Sequence, residues 1–132
     1  MNPFALLWRR QLSVFHIRMA GCGGCGEVVD DMLRDGWPAI ALECSSPRHA
    51  GLVVVTGCWT PELGGAGLEV IAQAPSTRRL ALVGDCALGR GFIAEVLGLA
   101  GGVGERVTPD LLVPGCPVSF ESLVEGVRDV AS

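Results

Sequence analysis

The sequence predicts a single α/β domain built on an open, doubly wound and mainly parallel sheet. Three observations lead there. Short apolar runs of strand length recur along the chain, several of them continuously apolar, as in strands covered on both faces. Segments with helical apolar spacing separate those runs, and strands alternating with helices close right-handed crossovers on one sheet. A length of 132 residues supports one buried core, and no repeat, low-complexity tract or long linker divides it.

Five strands are expected, in order Ser13 to Met19, Ile40 to Cys44, Leu52 to Thr56, Arg79 to Val83 and Leu111 to Val113. Between the first two, Val28, Val29, Met32 and Leu33 repeat at helical spacing. Leu63, Leu68, Ile71 and Ala72 do the same after the third strand, but Gly64, Gly65 and Gly67 interrupt them. Each glycine inside a helix costs about 1 kcal/mol relative to Ala, so that helix is expected to begin late. Phe92, Ile93, Val96 and Leu97 define a helix before the last strand, and Leu123, Val124, Val127 and Val130 define one after it. Residues 1–12 stand apart as an amphipathic N-terminal segment, in which Phe4, Leu7 and Trp8 precede Arg9 and Arg10; residues 13–132 form the domain.

Apolar residues make up 49% of the chain and charged residues 18%, and the mean hydropathy is +0.45, greasier than an ordinary water-exposed domain. Part of the surface is therefore expected to meet other protein, and the isolated chain to be poorly soluble and stable only in a complex. The net charge of -4, with no basic cluster beyond Arg9-Arg10 and Arg78-Arg79, argues against a nucleic-acid partner. No apolar run approaches the ~20 residues that span a bilayer, and no secretory signal is recognisable. Six cysteines without such a signal point to a reducing compartment, where thiols serve metals or redox chemistry more often than structural disulfides.

The 19 glycines concentrate at the expected strand ends, where the loops of open α/β sheets build ligand sites. Cys22 and Cys25 sit there in GCGGCGE, Cys86 in VGDCALGRGF and Cys116 in LLVPGCP, after the first, fourth and fifth strands. Four thiolates on one sheet edge, among glycines that let N–H groups approach sulfide, suit a cubane iron-sulfur cluster. The proline after Cys116 has a parallel in ferredoxin-type ligand loops. Structural zinc also uses four thiolates, but generally as two close pairs, and Cys86 and Cys116 are far apart in sequence. A thioredoxin-like C-x-x-C has no need of the two later cysteines. Cysteines acting as small apolar residues are the plain reading for Cys44 and Cys58, although Cys58 also follows a strand. A phosphate loop would share the strand, Gly-rich turn and helix, but G-K-[ST] is absent and two cysteines would occupy the cradle.

Gly21 to Glu27, SSPRHAGLVVVTG from Ser45 to Gly57, VGDCALGRGF and LLVPGCPVSFESL together resemble the family of complex I 20 kDa-type subunits and NiFe-hydrogenase small subunits. The resemblance covers about residues 14–128. The first pair, C-x-x-C, is similar to the hydrogenase branch, and the compact length to energy-converting, membrane-bound hydrogenases. The resemblance implies a flavodoxin-like domain with one proximal [4Fe-4S] cluster, its ligands falling on Cys22, Cys25, Cys86 and Cys116. It places Glu27 at an acidic position near the cluster and a proton route; a solvated first-turn carboxylate favoured by the helix dipole is the alternative. Arg48 and His49 match an S-P-R-H-A phrase that looks structural and near the partner interface, and a lone His is commonly a satisfied polar group.

Two departures stand out. PGCPVSFE replaces the usual P-G-C-P-P-R-P-E, so Val118, Ser119 and Phe120 stand for Pro, Arg and Pro, and the loop after Cys86 is shortened. The function so implied is electron relay within a membrane-bound oxidoreductase, at the cytoplasmic face of the plasma membrane. The implied partners are a NiFe-hydrogenase-like or complex I 49 kDa-like large subunit, other iron-sulfur subunits and membrane-embedded subunits. A complex I-like quinone reductase component and a zinc-stabilised module without redox activity remain alternatives.

Overall fold

The computed structural model describes residues 12–19, 24–34, 41–58, 61–88, 108–115 and 118–131. Its strands are β1 (Leu12–Arg18), β2 (Ala41–Glu43), β3 (Leu52–Thr56), β4 (Arg79–Val83) and β5 (Leu111–Val113). Its described helices are α1 (Gly24–Arg34), α2 (Pro61–Gln73) and α3 (Phe120–Ala131), with a single 3₁₀ turn over Pro47–His49. Residues 1–11 of the expected N-terminal segment 1–12, and the helix expected around Phe92 to Leu97, lie outside the described residues, while Leu12 already belongs to β1.

All neighbouring strands pair in parallel, in the order β2-β1-β3-β4-β5. That is the flavodoxin-like order, and the doubly wound α/β class expected from the sequence is the class observed. The reason is visible in β3. Its five residues are all buried, because successive side chains point to opposite faces and both faces are covered. Leu52 and Val54 enter a core with Val29, Met32, Leu33, Leu123, Val124 and Val127 from α1 and α3. Val53 and Val55 enter the other, with Ile71 of α2 and with Leu80 and Leu82.

The late start expected for α2 is corrected: the helix begins at Pro61. A proline as first residue has its φ already set for a helix and loses no hydrogen bond there. Burial of Ile71 and Ala74 at the far end of the segment then outweighs the glycine penalty.

Register decides where the loops emerge. Arg18, Thr56, Val83 and Val113 are paired side by side across β1, β3, β4 and β5. The segments leading to Cys22, Cys58, Cys86 and Cys116 therefore all leave one edge of the sheet from a common row.

Candidate functional site

Two of the four cysteines expected as ligands, Cys25 and Cys86, are among the described residues; Cys22 and Cys116 are not. Cys25 is the second residue of α1, in the turn where unpaired N–H groups give the helix its positive end. Its sulfur lies 4.0 Å from the carbonyl oxygen of Gly115, the residue before Cys116, and accepts the N–H of Val118 at 3.4 Å. Also against it is Gly84, two residues before Cys86, whose φ of +91° and missing side chain leave the sulfur its room. A Cβ on Gly84 would overlap that sulfur. One helix-borne thiol is thus lodged between the loops that follow β4 and β5.

Those two loops are tied to each other. The Gly84 N–H donates to Val113 O at 2.7 Å and the Asp85 N–H to Gly115 O at 2.9 Å. The Asp85 carboxylate returns the contact by accepting the Gly115 N–H at 2.9 Å. The neighbours of Cys86 and Cys116 are therefore hydrogen-bonded partners, which holds the two loops to one spacing whatever occupies the site. Among the described residues, no three His, Cys, Asp or Glu side chains gather around one point.

The altered segment after Cys116 has a local explanation. Ser119 caps α3: its hydroxyl accepts the Ser122 N–H at 3.2 Å and its carbonyl the Leu123 N–H at 3.1 Å. Val118 is buried and Phe120 packs partly against the same core. The three substituted positions thus start a helix and seal it to the sheet.

Glu27 is exposed in the first turn of α1 and pairs with Arg18 at 3.3 Å. Arg48 and His49 are exposed in the 3₁₀ turn ahead of β3, a turn capped by the Ser46 side chain. The Gly51 N–H that follows them bonds to Ser13 O, near the start of β1, so both lie toward the amino edge of the sheet, away from the cysteine loops.

The structure also contains a polar cluster that sequence reading missed. His16 of β1, its side chain 4% exposed, bonds through Nδ1 to Asp30 Oδ1 at 3.1 Å and through Nε2 to Thr56 Oγ1 at 2.8 Å. Arg18 donates to the second oxygen of Asp30 at 2.8 Å. Burial, stronger than the opposing pull of Asp30, holds the imidazole pKa below its usual value. The neutral ring then donates from Nδ1 to the carboxylate and accepts the Thr56 hydroxyl at Nε2. The available signal was alternation: along the α1 face of β1, apolar Val14 gives way to His16 and Arg18 toward the cysteine edge.

A depressed histidine pKa means that the unfolded chain binds a proton more readily than the folded one, so stability falls as pH drops below about 6.5. Melting temperature should therefore decline from pH 7.5 to pH 5, and His16→Gln, which hydrogen-bonds without titrating, should flatten the decline. Parallel melting profiles for the two proteins would contradict the buried neutral ring.

Gly21, Gly23 and Gly26 do fall in the G-x-G-x-x-G order of dinucleotide loops, so glycine spacing alone does not separate the two kinds of site. The position of Cys25 does: its sulfur is turned toward the β4 and β5 loops, where a second and a third cysteine follow.

Fold and site together define a parallel α/β domain whose strand-end loops converge on a helix-borne cysteine. Residues 22–130 match the family described as NADH ubiquinone oxidoreductase, 20 Kd subunit, and the chain belongs to that family. It is 32% identical over 96 residues to an NADH-quinone oxidoreductase subunit of Heliobacterium modesticaldum, an alignment covering 73% of this chain and 53% of that protein. The chain thus spans about half the length of the curated relative it matches. A chain from the solved structure of membrane-bound sulfane sulfur reductase, an archaeal respiratory membrane complex, superposes with a TM-score of 0.74 at 20% identity. That match covers 98% of this chain and 75% of the other, and it shows the shared fold. Among the described residues no helix is long and apolar enough to cross a membrane.

Proposed function

We propose that this chain is an electron-relay subunit of a membrane-bound respiratory oxidoreductase, holding one [4Fe-4S] cluster on Cys22, Cys25, Cys86 and Cys116. The observation that carries the reading is the lodging of the Cys25 sulfur between Gly84 and Gly115, each within two residues of another of the four cysteines. The donor set fits the group: thiolate cysteines, two glycines that leave space, and a backbone N–H aimed at sulfur. When bound, such a cluster takes up and passes on one electron at a time.

The chain's own part is to hold and insulate. The Asp85–Gly115 bonds fix the spacing of two ligand loops, and the apolar core beneath, including Val83, Val113 and Val118, keeps water from the inner side. Arg18 and Glu27 form an exposed ion pair close to the Cys25 turn, at the acidic position that the resemblance puts near the cluster and a proton route.

The C-x-x-C spacing supports a NiFe-hydrogenase-type complex, with a hydrogenase-like large subunit and membrane-embedded subunits as partners at the cytoplasmic face. Identity to a component of an NADH-quinone oxidoreductase favours a second reading, a quinone reductase component beside a 49 kDa-like large subunit. Purification of the complex with its large subunit separates them: four nickel-ligand cysteines and bound nickel there support the first, their absence the second. For the cluster itself, anaerobically prepared protein should carry about four iron and four acid-labile sulfide per chain. Stoichiometric zinc without iron would refute the relay and leave a zinc-stabilised module.

A further inference from the structure

Val118 touches the site through its backbone. Its N–H donates to Cys25 Sγ at 3.4 Å, while its side chain is 2% exposed in the core shared with Leu123 and Val124. The next residue, Ser119, caps α3, so the amide is held between a packed side chain and a fixed helix start. A donor held in this way keeps its direction whatever the charge on the sulfur. We infer that the Val118 N–H is a tuning contact of the site, one that raises the reduction potential of whatever the Cys25 sulfur ligates.

The argument is electrostatic. An N–H dipole pointed at a ligand sulfur stabilises the more negative, reduced state more than the oxidised one, and partial burial keeps water from screening it. Position 118 acts through its amide, so the decisive property is the presence of the hydrogen: any residue but proline supplies it. The side chain has a separate job, anchoring the segment in the core. The inference rests on the reading of Cys25 as a cluster ligand.

The test compares Val118→Pro, which removes the donor, with Val118→Ala, which keeps it and trims the side chain, in the full chain within its assembly. In potentiometric titrations followed by electron paramagnetic resonance, Val118→Pro should lower the reduced-to-oxidised ratio at a fixed poise by about tenfold, ~59 mV for one electron. Val118→Ala should stay within about twofold of the wild type. A wild-type midpoint in Val118→Pro, or an equal shift in both variants, would overturn the tuning role. Should Val118→Pro fail to fold, hydrogen exchange decides: in the metal-free chain the Val118 amide should exchange about tenfold faster in Cys25→Ala than in the wild type, and equal rates would sink the contact. A wild-type chain without iron refutes the cluster reading, whereas a cluster with an unmoved midpoint refutes only this inference.

Discussion

Cys25→Ala, like Cys22→Ala, Cys86→Ala and Cys116→Ala, should reduce bound iron from about one cluster per chain to near none, whereas Cys44→Ala and Cys58→Ala should retain it. The expectation follows from where each sulfur stands. Cys25 lies among Gly84, Gly115 and Val118 at the carboxyl edge, and Cys86 follows directly on Asp85, which ties the β4 and β5 loops. Cys44 is elsewhere: its N–H bonds to Val14 O, far back along β1 from the Arg18 row. Its thiol donates to Ser46 O at 3.3 Å, and burial pushes its pKa up, which disfavours the thiolate that a metal needs. Cys58 is the sharper control, since it leaves the same edge after β3 but is 1% exposed. Its loss to alanine removes one buried sulfur and costs stability of about 1 kcal/mol, with the iron kept. Iron and sulfide analysis of the six single variants checks the assignment, and iron lost in Cys58→Ala but kept in Cys86→Ala would reverse it.

How far this site was legible depends on the range of the interactions that make it. β3 and β4 coincide with the expected bounds because each is an apolar run stopped by a glycine of positive φ, Gly57 or Gly84, a signal carried by adjacent residues. At its far end β2 stops before the expected Cys44: among the described residues its ladder covers Ala41 to Glu43, and pairing with β1 is a property of two segments, invisible in either alone. The start of α2 escapes a sequence reading for a similar reason, because glycine content is local while the burial of Ile71 is not. The cysteines could be proposed as ligands from sequence since their residue type already narrows the chemistry. His16 could not, because what makes it special is Asp30 on the next helix and Thr56 on another strand. Nor did the glycine-rich loops disclose that the space at Gly84 is shaped for one particular sulfur.

Gly84→Ala should be among the most damaging single changes outside the cysteines. Two costs combine. The φ of +91° is a conformation that L-residues adopt only under strain, about 1–3 kcal/mol. The new methyl group would also overlap Cys25 Sγ, with Cys25 Cβ at 3.1 Å and Gly115 O at 3.7 Å, so the helix-borne residue would have to move, at a further cost of about 1–3 kcal/mol. Cys25 has little freedom to yield, since it is the second residue of α1, and α1 is pinned to the sheet by Val29 and Met32 in the core and by Asp30 against His16 and Arg18. A total of roughly 2–6 kcal/mol is a large share of the stability of an ordinary domain, so thermal melting should fall by about 10 °C or more. Chain that still folds should bind little iron, because the displaced atom is the proposed ligand itself. Gly65→Ala provides the opposite sign: that glycine is exposed in α2 with nothing within 4 Å of an added Cβ, and alanine there should stabilise by up to about 1 kcal/mol without altering iron content. Melting curves and iron analysis on the two variants side by side therefore distinguish a requirement for space at Gly84 from a general intolerance of the fold to glycine replacement. Equal, small effects at both positions would mean that the Cys25 sulfur does not depend on the gap beside it.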